Sequence, residues 1–289
     1  MLPRFRGPKS VLVIGGGIAG ASITRELARK GVGVTLLEKA GQLCAGATWH
    51  AAGLVTRFGG SPKIKKVHVR ALREMNELHE THDVSLHITG SIRLIEKGNA
   101  DRLAEAKQHV AMNALYDDPG LATEMVTAEE VKALHPLVDI STVEAGVWTP
   151  QDGDVDPTSL TTCIAKLAKA DGASIVYNAE VDTIMKRADG TFEVLTADGQ
   201  IYEADAVVNA AGLWSRKFSA QLGLEQTHPA FVIEHQYAIT ETIPALKGKV
   251  GDGERVPVLR DLAGSSYIRQ ERDGLLVGAC SPMLSHALP

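Results

Sequence analysis

One loop holds the residues best placed for chemistry. His50 stands within Gly46-Ala47-Thr48-Trp49-His50-Ala51-Ala52-Gly53-Leu54, twelve residues after an acid, Glu38. An imidazole flanked by glycines and alanines can approach a flat ring closely, because nothing bulky separates the backbone from that ring. The plainer alternative is a loop histidine capped by its own backbone, and the residues upstream decide between the two.

Val11-Leu12-Val13-Ile14 is a short, wholly apolar run, the pattern of a central parallel strand covered on both faces. Gly15-Gly16-Gly17-Ile18-Ala19-Gly20 follows and fits G-x-G-x-x-G. A helical pattern then leads to Gly31, and Val34-Thr35-Leu36-Leu37 reads as a second strand ending on Glu38. In such a unit Gly15 permits the tight turn, Gly17 lets a pyrophosphate meet backbone N–H groups, and Gly20 lets helix pack close to strand. A carboxylate at Glu38 accepts from ribose hydroxyls and disfavours a 2′-phosphate, which argues against NADP. Strand, glycines, helix, strand and acid in register form a specific signal, and they turn the His50 loop into a candidate flavin contact.

The surrounding elements follow from pattern. A basic stretch, Arg57, Lys63, Lys65, Lys66, Arg70 and Arg73, contains no acid and reads as a solvated helix face; the alternative is a positive field drawing in an anionic substrate. A helix with Leu72, Met75 and Leu78 continues it. Ser91–Glu96 reads as a strand and Asn99–Tyr116 as an amphipathic helix, while Thr127-Ala128-Glu129-Glu130 is a capping box opening a helix that stops before Pro136. Asp156 and Pro157 suit the N-cap and first position of a further helix. Strands are then expected at Gly172–Tyr177 and from Val181, a hairpin turn at Asp198-Gly199, and a strand Ala206–Gly212 that ends in small residues, as a sheet edge against a cofactor requires.

The 289 residues, 44% of them hydrophobic, can bury one large core or two smaller ones, and a net charge of −5 argues against nucleic acid as partner. No apolar run approaches the roughly twenty residues of a membrane span. Three cysteines, Cys44, Cys163 and Cys280, lack C-x-x-C spacing, so neither disulfides nor a metal site is expected. Met1–Ser10 has no apolar segment of a secretory leader and is short for a transit peptide.

Taken in order, Gly15-x-Gly17-x-x-Gly20, Glu38-Lys39, Gly46 through Leu54, Asp152-Gly153-x-x-Asp156-Pro157 and Asn209-Ala210-Ala211-Gly212-Leu213-Trp214 resemble the D-amino-acid-oxidase superfamily. Within it the chain is most similar to the dimethylglycine and sarcosine dehydrogenase branch, from about Ser10 to Gly278, and Thr48-Trp49-His50-Ala51-Ala52-Gly53 is the most discriminating segment. The resemblance implies a Rossmann-like FAD-binding domain and a second α+β substrate domain on a mostly antiparallel sheet. Expected bounds are 9–90 with 150–225 for the first and 91–149 with 226–289 for the second. It implies FAD held covalently through His50, with contacts at Gly15, Gly17, Ile18, Ala19, Gly20, Glu38, Lys39, Gly46, Ala47, Thr48, Trp49, Ala51, Ala52, Gly53 and Leu54, at Val181 through its backbone, and around Gly212 and Trp214. No metal is implied.

On the substrate side, Phe231–Thr240 and Ser265–Gln270 read as strands, and related amine oxidases place a histidine and a tyrosine there, matching His235 and Tyr267. Alternation would put Tyr237 beside His235, with Arg269 as a further candidate. The implied reaction removes a hydride equivalent from the methyl carbon of an N-methylated glycine, dimethylglycine or sarcosine. The resulting iminium hydrolyses to formaldehyde, and electrons pass to an electron-transfer flavoprotein or to oxygen. Another amine oxidase of the superfamily, or a non-catalytic regulatory subunit of the same lineage, are the rival expectations. The expected compartment is the cytoplasm, alternatively the mitochondrial matrix. Relatives continue beyond Leu275–Gly278 with more sheet, a last glycine-rich segment and a folate-binding module, whereas Ala279–Pro289 shows no strand alternation, so the chain reads as C-terminally truncated.

Overall fold

The computed structural model describes residues 7–57, 62–115, 118–229, 232, 234–249, 251 and 254–279. It divides into two compact units, Met1–Ala51 with Asp156–Ile233 and Ala52–Val155 with Glu234–Pro289. Residues 52–90, grouped with the first domain on sequence, thus fall in the second unit. The reason is long-range pairing: Leu54–Val55 forms a ladder with Gly153–Val155, which also pairs with Leu86–His87.

In the first unit, four parallel strands lie in the order Ala206–Asn209, Ser10–Ile14, Gly33–Leu37, Ser174–Val176. Alternation along the apolar strand feeds two cores. Val11 and Val13 point into one with Val34, Leu36, Ala28 and Ala168, beneath the helices Ile18–Arg29 and Pro157–Ala170. Leu12 and Ile14 point into the other, with Ile184, Val194 and Phe218. That second core is covered by an antiparallel sheet of Val181–Lys186, Phe192–Thr196 and Ile201–Ala204. A strand buried on both faces needs apolar residues at every position, hence the unbroken run. Asp156 caps its helix, accepting from Ser159 N at 2.7 Å, and Pro157 takes the first turn.

The second unit is built on seven strands ordered Tyr237–Ile239, Gly274–Ala279, Ser266–Glu271, Val258–Asp261, Ser91–Glu96, Val143–Thr149, Glu124–Thr127. All neighbours are antiparallel except Val258–Asp261 on Ser91–Glu96. One face packs Ile92, Val126 and Leu259 with Val131 of the helix Ala128–Leu134, whose capping box at Thr127 and Glu130 is formed in full. The other face packs Ile95 and Val147 under the helix Ala100–Ala114, capped by Asn99.

Two expectations need correction. The strand expected over Phe231–Thr240 is only Tyr237–Ile239; it is an edge strand paired on one side, all three residues are exposed, and residues 230, 231 and 233 lie outside the described set. The basic stretch is not simply a solvated face. Along the helix Pro62–His82, Lys63, Lys66, Arg70 and Arg73 are exposed, but Lys65 is buried completely and Arg57 nearly so. Cys280 and the tail 280–289 lie outside the described residues.

Candidate cofactor site and the buried polar centre

At the C-terminal edge of the parallel sheet, strand Ser10–Ile14 runs into the glycine turn and strand Ala206–Asn209 into Ala210-Ala211-Gly212. Both ends are small because they crowd each other. A Cβ on Gly15, whose φ is +106°, would sit 2.5 Å from the Ala210 carbonyl oxygen, and one on Gly20 would lie 1.9 Å from that of Gly15. The helix Ile18–Arg29 begins here with no acidic residue in its first turn, leaving the positive end of its dipole uncompensated.

A cavity of about 210 Å³ opens at this edge. Of the residues expected to touch a cofactor, it is lined by Gly15, Gly17, Ile18, Ala19, Glu38, Lys39, Gly46, Ala47, Thr48, Val181, Gly212 and Trp214. Gly20 is buried behind it, packing helix on turn. Trp49, His50, Ala51, Ala52, Gly53 and Leu54 do not line it, and Ala52 onward belongs to the second unit. Sequence reasoning missed Gly16, Ala45, Glu180, Lys217 and Phe218 as lining residues. Of these Glu180, Lys217 and Phe218 come from segments without a motif.

Glu38 is buried and already engaged: its carboxylate accepts from Gly16 N at 2.6 Å and from Ala40 N at 2.8 Å. It therefore holds the glycine turn as well as facing the cavity. Thr48 joins the His50 loop to the helix start, its Oγ1 accepting from Ile18 N at 3.1 Å. Lys39 Nζ sits 3.2 Å from the centroid of the Trp214 ring, a cation–π contact at the rim. His50 is exposed and stands edge-on to Trp49 at 4.9 Å. Its Nδ1 lies 3.1 Å from the Gly46 carbonyl oxygen. Because a carbonyl only accepts, Nδ1 carries a proton in that contact, and in the neutral ring Nε2 then keeps its lone pair.

The second unit holds the residues expected on the substrate side. Tyr267 lies on the strand Ser266–Glu271 with its ring over Gly278, where any Cβ would collide with it. Tyr237, Gly278 and Tyr267 are in register across three strands and share a face, on which Arg269 also lies. His235 precedes its strand and is exposed, so it is not held on a strand as expected.

That unit also contains a buried polar centre that sequence reasoning did not identify. Asp152, read as a turn residue, is 1% exposed; it accepts from Arg57 N at 3.0 Å and from the Ser91 hydroxyl at 2.7 Å. Burial pushes its carboxyl up to about 6, a rise that Ser91, Arg57 and Arg260 moderate. Arg57 is anchored further by the carbonyls of Gly120 and Gln151. Nearby in sequence, Asp154 gathers His87 at 3.2 Å, Arg269 at 3.6 Å and Arg255 at 3.7 Å, while Arg269 Nε donates to the Ala52 carbonyl at 2.6 Å. These partners lie far apart in the chain, so no local spacing announces them. Lys65 donates to Asn113, and burial lowers its proton affinity. Burial also drives His109 and His135 down to about 4. Among the described residues no cluster of three or more His, Cys, Asp or Glu could hold a metal, and no helix is long and apolar enough to cross a membrane.

Residues 10–286 match the FAD-dependent oxidoreductase family abbreviated DAO, and the chain belongs to that family. It is 39% identical to the mitochondrial dimethylglycine dehydrogenase of Rattus norvegicus over 96% of this chain and 31% of the relative. It is 36% identical to the formaldehyde-forming 4-methylaminobutanoate oxidase of Paenarthrobacter nicotinovorans, over 94% of this chain and 31% of the relative. Among solved structures, the L-proline dehydrogenase of P. horikoshii superimposes with a TM-score of 0.80 at 28% identity, over 95% of this chain and 70% of that one. The chain thus spans about a third of the length of the curated relatives it matches, and it shares the two-part fold of the family's flavoenzymes.

Proposed function

We propose that this chain is the flavin-bearing part of an amine oxidoreductase that binds FAD in its first unit, through His50 covalently, and oxidises N-methylated glycines. The observation that carries the reading is the glycine cradle with Glu38 and Gly46–Thr48, the segment that leads to His50, around one cavity. Its walls are small where a Cβ would intrude, a helix start faces it without an acid, and Glu38 stands where ribose hydroxyls would be met. Bound FAD would supply a two-electron acceptor for the hydride equivalent leaving the methyl carbon.

The chain's own residues have separable tasks. Thr48 and Glu38 fix the turn and loop; Gly17 leaves room for the pyrophosphate; Nε2 of His50, free of a proton in the neutral ring when Nδ1 donates to Gly46, is the nitrogen assigned to the covalent bond. Tyr267 is assigned to the substrate wall and His235 to taking the amine's proton, since only the neutral amine can release hydride. The rat relative's name supports dimethylglycine as the substrate to try first, with sarcosine beside it. Mass spectrometry of the denatured, purified chain tests attachment, and formaldehyde release from both amines tests the reaction. Peroxide formation against reduction of an added electron-transfer flavoprotein tells the acceptor. A chain lacking any flavin adduct, and idle with both amines after FAD is added, would overturn the proposal.

A further inference from the structure

The basic stretch has no task in the chemistry proposed above, and its side chains form an ordered set. On the helix Pro62–His82, Lys63, Lys66, Arg70, Arg73, Glu77 and Glu80 recur at alternating steps of three and four residues, and all are exposed. That spacing keeps them on one stripe, four cations followed by two acids. The opposite side holds Lys65, Val69 and Leu72, which are buried. The charge order runs against the helix. Acids stabilise the N-terminal end of a helix dipole and cations the C-terminal end, yet the first turn here has no acid and the acids come in the last turns. Lys66 and Arg70 are like charges four residues apart, and Arg73 stands N-terminal to Glu77, the weaker order for such a pair. Arg73 has its ion pair outside the helix, with Asp118 at 2.8 Å. Among the described residues Lys63, Lys66, Arg70, Glu77 and Glu80 make no ion pair. Val67, 61% exposed, lies among the cations. Such a stripe weakens a lone helix and is its own complement when reversed.

We propose that this stripe pairs with the same stripe on a second copy of the chain, the two helices antiparallel about a twofold axis between Arg70 and Arg73. Lys63 then faces Glu80 of the other copy and Lys66 faces Glu77, and the symmetry repeats each pair. At the axis Arg73 is already neutralised by Asp118, and Glu74 lies one helical turn beyond Arg70. Val67, next to Lys66, adds apolar area beside the pairs. An acidic protein or an anionic lipid surface would answer the cations but be repelled by Glu77 and Glu80, whereas a reversed copy answers both ends. The seam from Lys63 to Glu80 is roughly 26 Å long at 1.5 Å per residue. One helix pair of that length falls at the low end of specific interfaces, and exposed ion pairs are screened by salt, so the dimer is weak and dissociates as ionic strength rises. Neither copy needs bound flavin for this contact, which stands apart from the oxidation of any amine.

Sedimentation equilibrium of the purified full chain tests the contact. At concentrations up to about 200 µM in about 50 mM salt the average mass should rise toward that of a dimer, and in about 500 mM salt it should stay that of one chain. Lys66→Glu or Glu77→Lys alone puts like charges opposite each other on both sides of the axis and should weaken association roughly tenfold or more. Both residues are exposed, so the circular dichroism spectrum should not change. An equimolar mixture of the two variants restores opposite charges in a mixed dimer. Lys66→Glu together with Glu77→Lys in one chain restores them in a like dimer. Both should associate as the parent does. A parent that stays monomeric at low salt, single reversals without effect, or a mixture and a double variant that do not recover would each overturn the proposal. Binding of a monomeric parent to vesicles containing phosphatidylserine, lost in Lys66→Glu, would assign the stripe to a lipid surface instead and overturn it as well.

Discussion

Replacing Asp152 by asparagine should stabilise the second unit at neutral pH, contrary to the usual cost of removing a buried hydrogen-bonded acid. Burial raises this carboxyl from an ordinary 3.8 to about 6. Between pH 3.8 and about 6 the native state therefore holds a proton there that the unfolded chain has already released, and at pH 7 it carries a buried charge instead. A raised folded-state value means the stability contribution is complete below pH 3.8 and is lost as pH rises through 6. Each unit of displacement corresponds to about 1.4 kcal/mol, so the full loss amounts to about 3 kcal/mol, of which about 2 kcal/mol falls between pH 4 and 7. Asparagine resembles the protonated acid and can still accept from Arg57 N. It costs about 1 kcal/mol in altered hydrogen bonding with Ser91, and Arg57 keeps its two carbonyl partners. The variant should match the parent within about 1 kcal/mol at pH 4 and exceed it by about 2 kcal/mol at pH 7. Trp148 is the sole tryptophan of the second unit, beside Trp49 and Trp214 in the first. Urea titrations followed by Trp148 fluorescence, in a Trp49→Phe, Trp214→Phe background, isolate the relevant transition. Subtracting parent from variant at each pH cancels the other titrating groups. A difference that stays constant from pH 4 to 7 would show that Asp152 titrates as an ordinary acid and refute the reasoning.

His135 is 1% exposed, its ring nitrogens have no hydrogen-bond partner among the described residues, and it titrates near 4. Its depressed value means stability is lost as pH falls from 6.5 toward 4, by about 3 kcal/mol, and His135→Leu should remove that acid slope in urea titrations. Glu38→Ala deprives Gly16 and Ala40 of an acceptor, so both flavin loading and first-unit stability should fall, the latter by about 1–3 kcal/mol in urea titrations. Loss of loading alone would mean the turn does not need it. Gly17→Val places a Cβ 2.9 Å from Thr48 Oγ1, which can rotate, and should give soluble protein without flavin absorbance; Gly20→Ala drives a Cβ into the Gly15 carbonyl and should yield insoluble chain. His50→Ala should leave the circular dichroism spectrum unchanged while acid-precipitated protein loses all bound flavin, and acid-stable colour in that variant would remove His50 from the argument.

Local features were legible in the residues. The apolar strand before Gly15, the acid at Glu38, the Thr127–Glu130 capping box and the Asp156-Pro157 helix start are each written within a few positions, and each formed at its place. What escaped was set by partners far along the chain. Nothing near Lys65 foretells Asn113, and nothing near Asp152 foretells Ser91 or Arg57, so a buried cation and a buried acid read as solvent-facing helix and turn. The boundary at Ala52 is invisible for the same cause, because it depends on Leu54 finding Asp154. Alternation over Phe231–Thr240 overstated its strand, since an edge position supports pairing on one side only and, among the described residues, three pair.

The seven-stranded sheet joins its two halves at a single seam. Ser91–Glu96, Val143–Thr149 and Glu124–Thr127 come from the first passage of the chain through the second unit, and the four remaining strands from the second passage. Among the described residues, the strand pairing that joins them is the parallel ladder from Val258↔Ser91 to Asp261↔Leu94. During synthesis the early strands must wait, with the edge of Ser91–Glu96 bare, until the intervening first-unit residues and the first half of the second passage have emerged. Closure of a loop that long is slow, and an open apolar edge is where chains pair wrongly. The ladder is thus the expected kinetic bottleneck of folding, and Ile92 and Leu259, in register across it and packed in one core, are where a weakened seam would surface as aggregation during refolding.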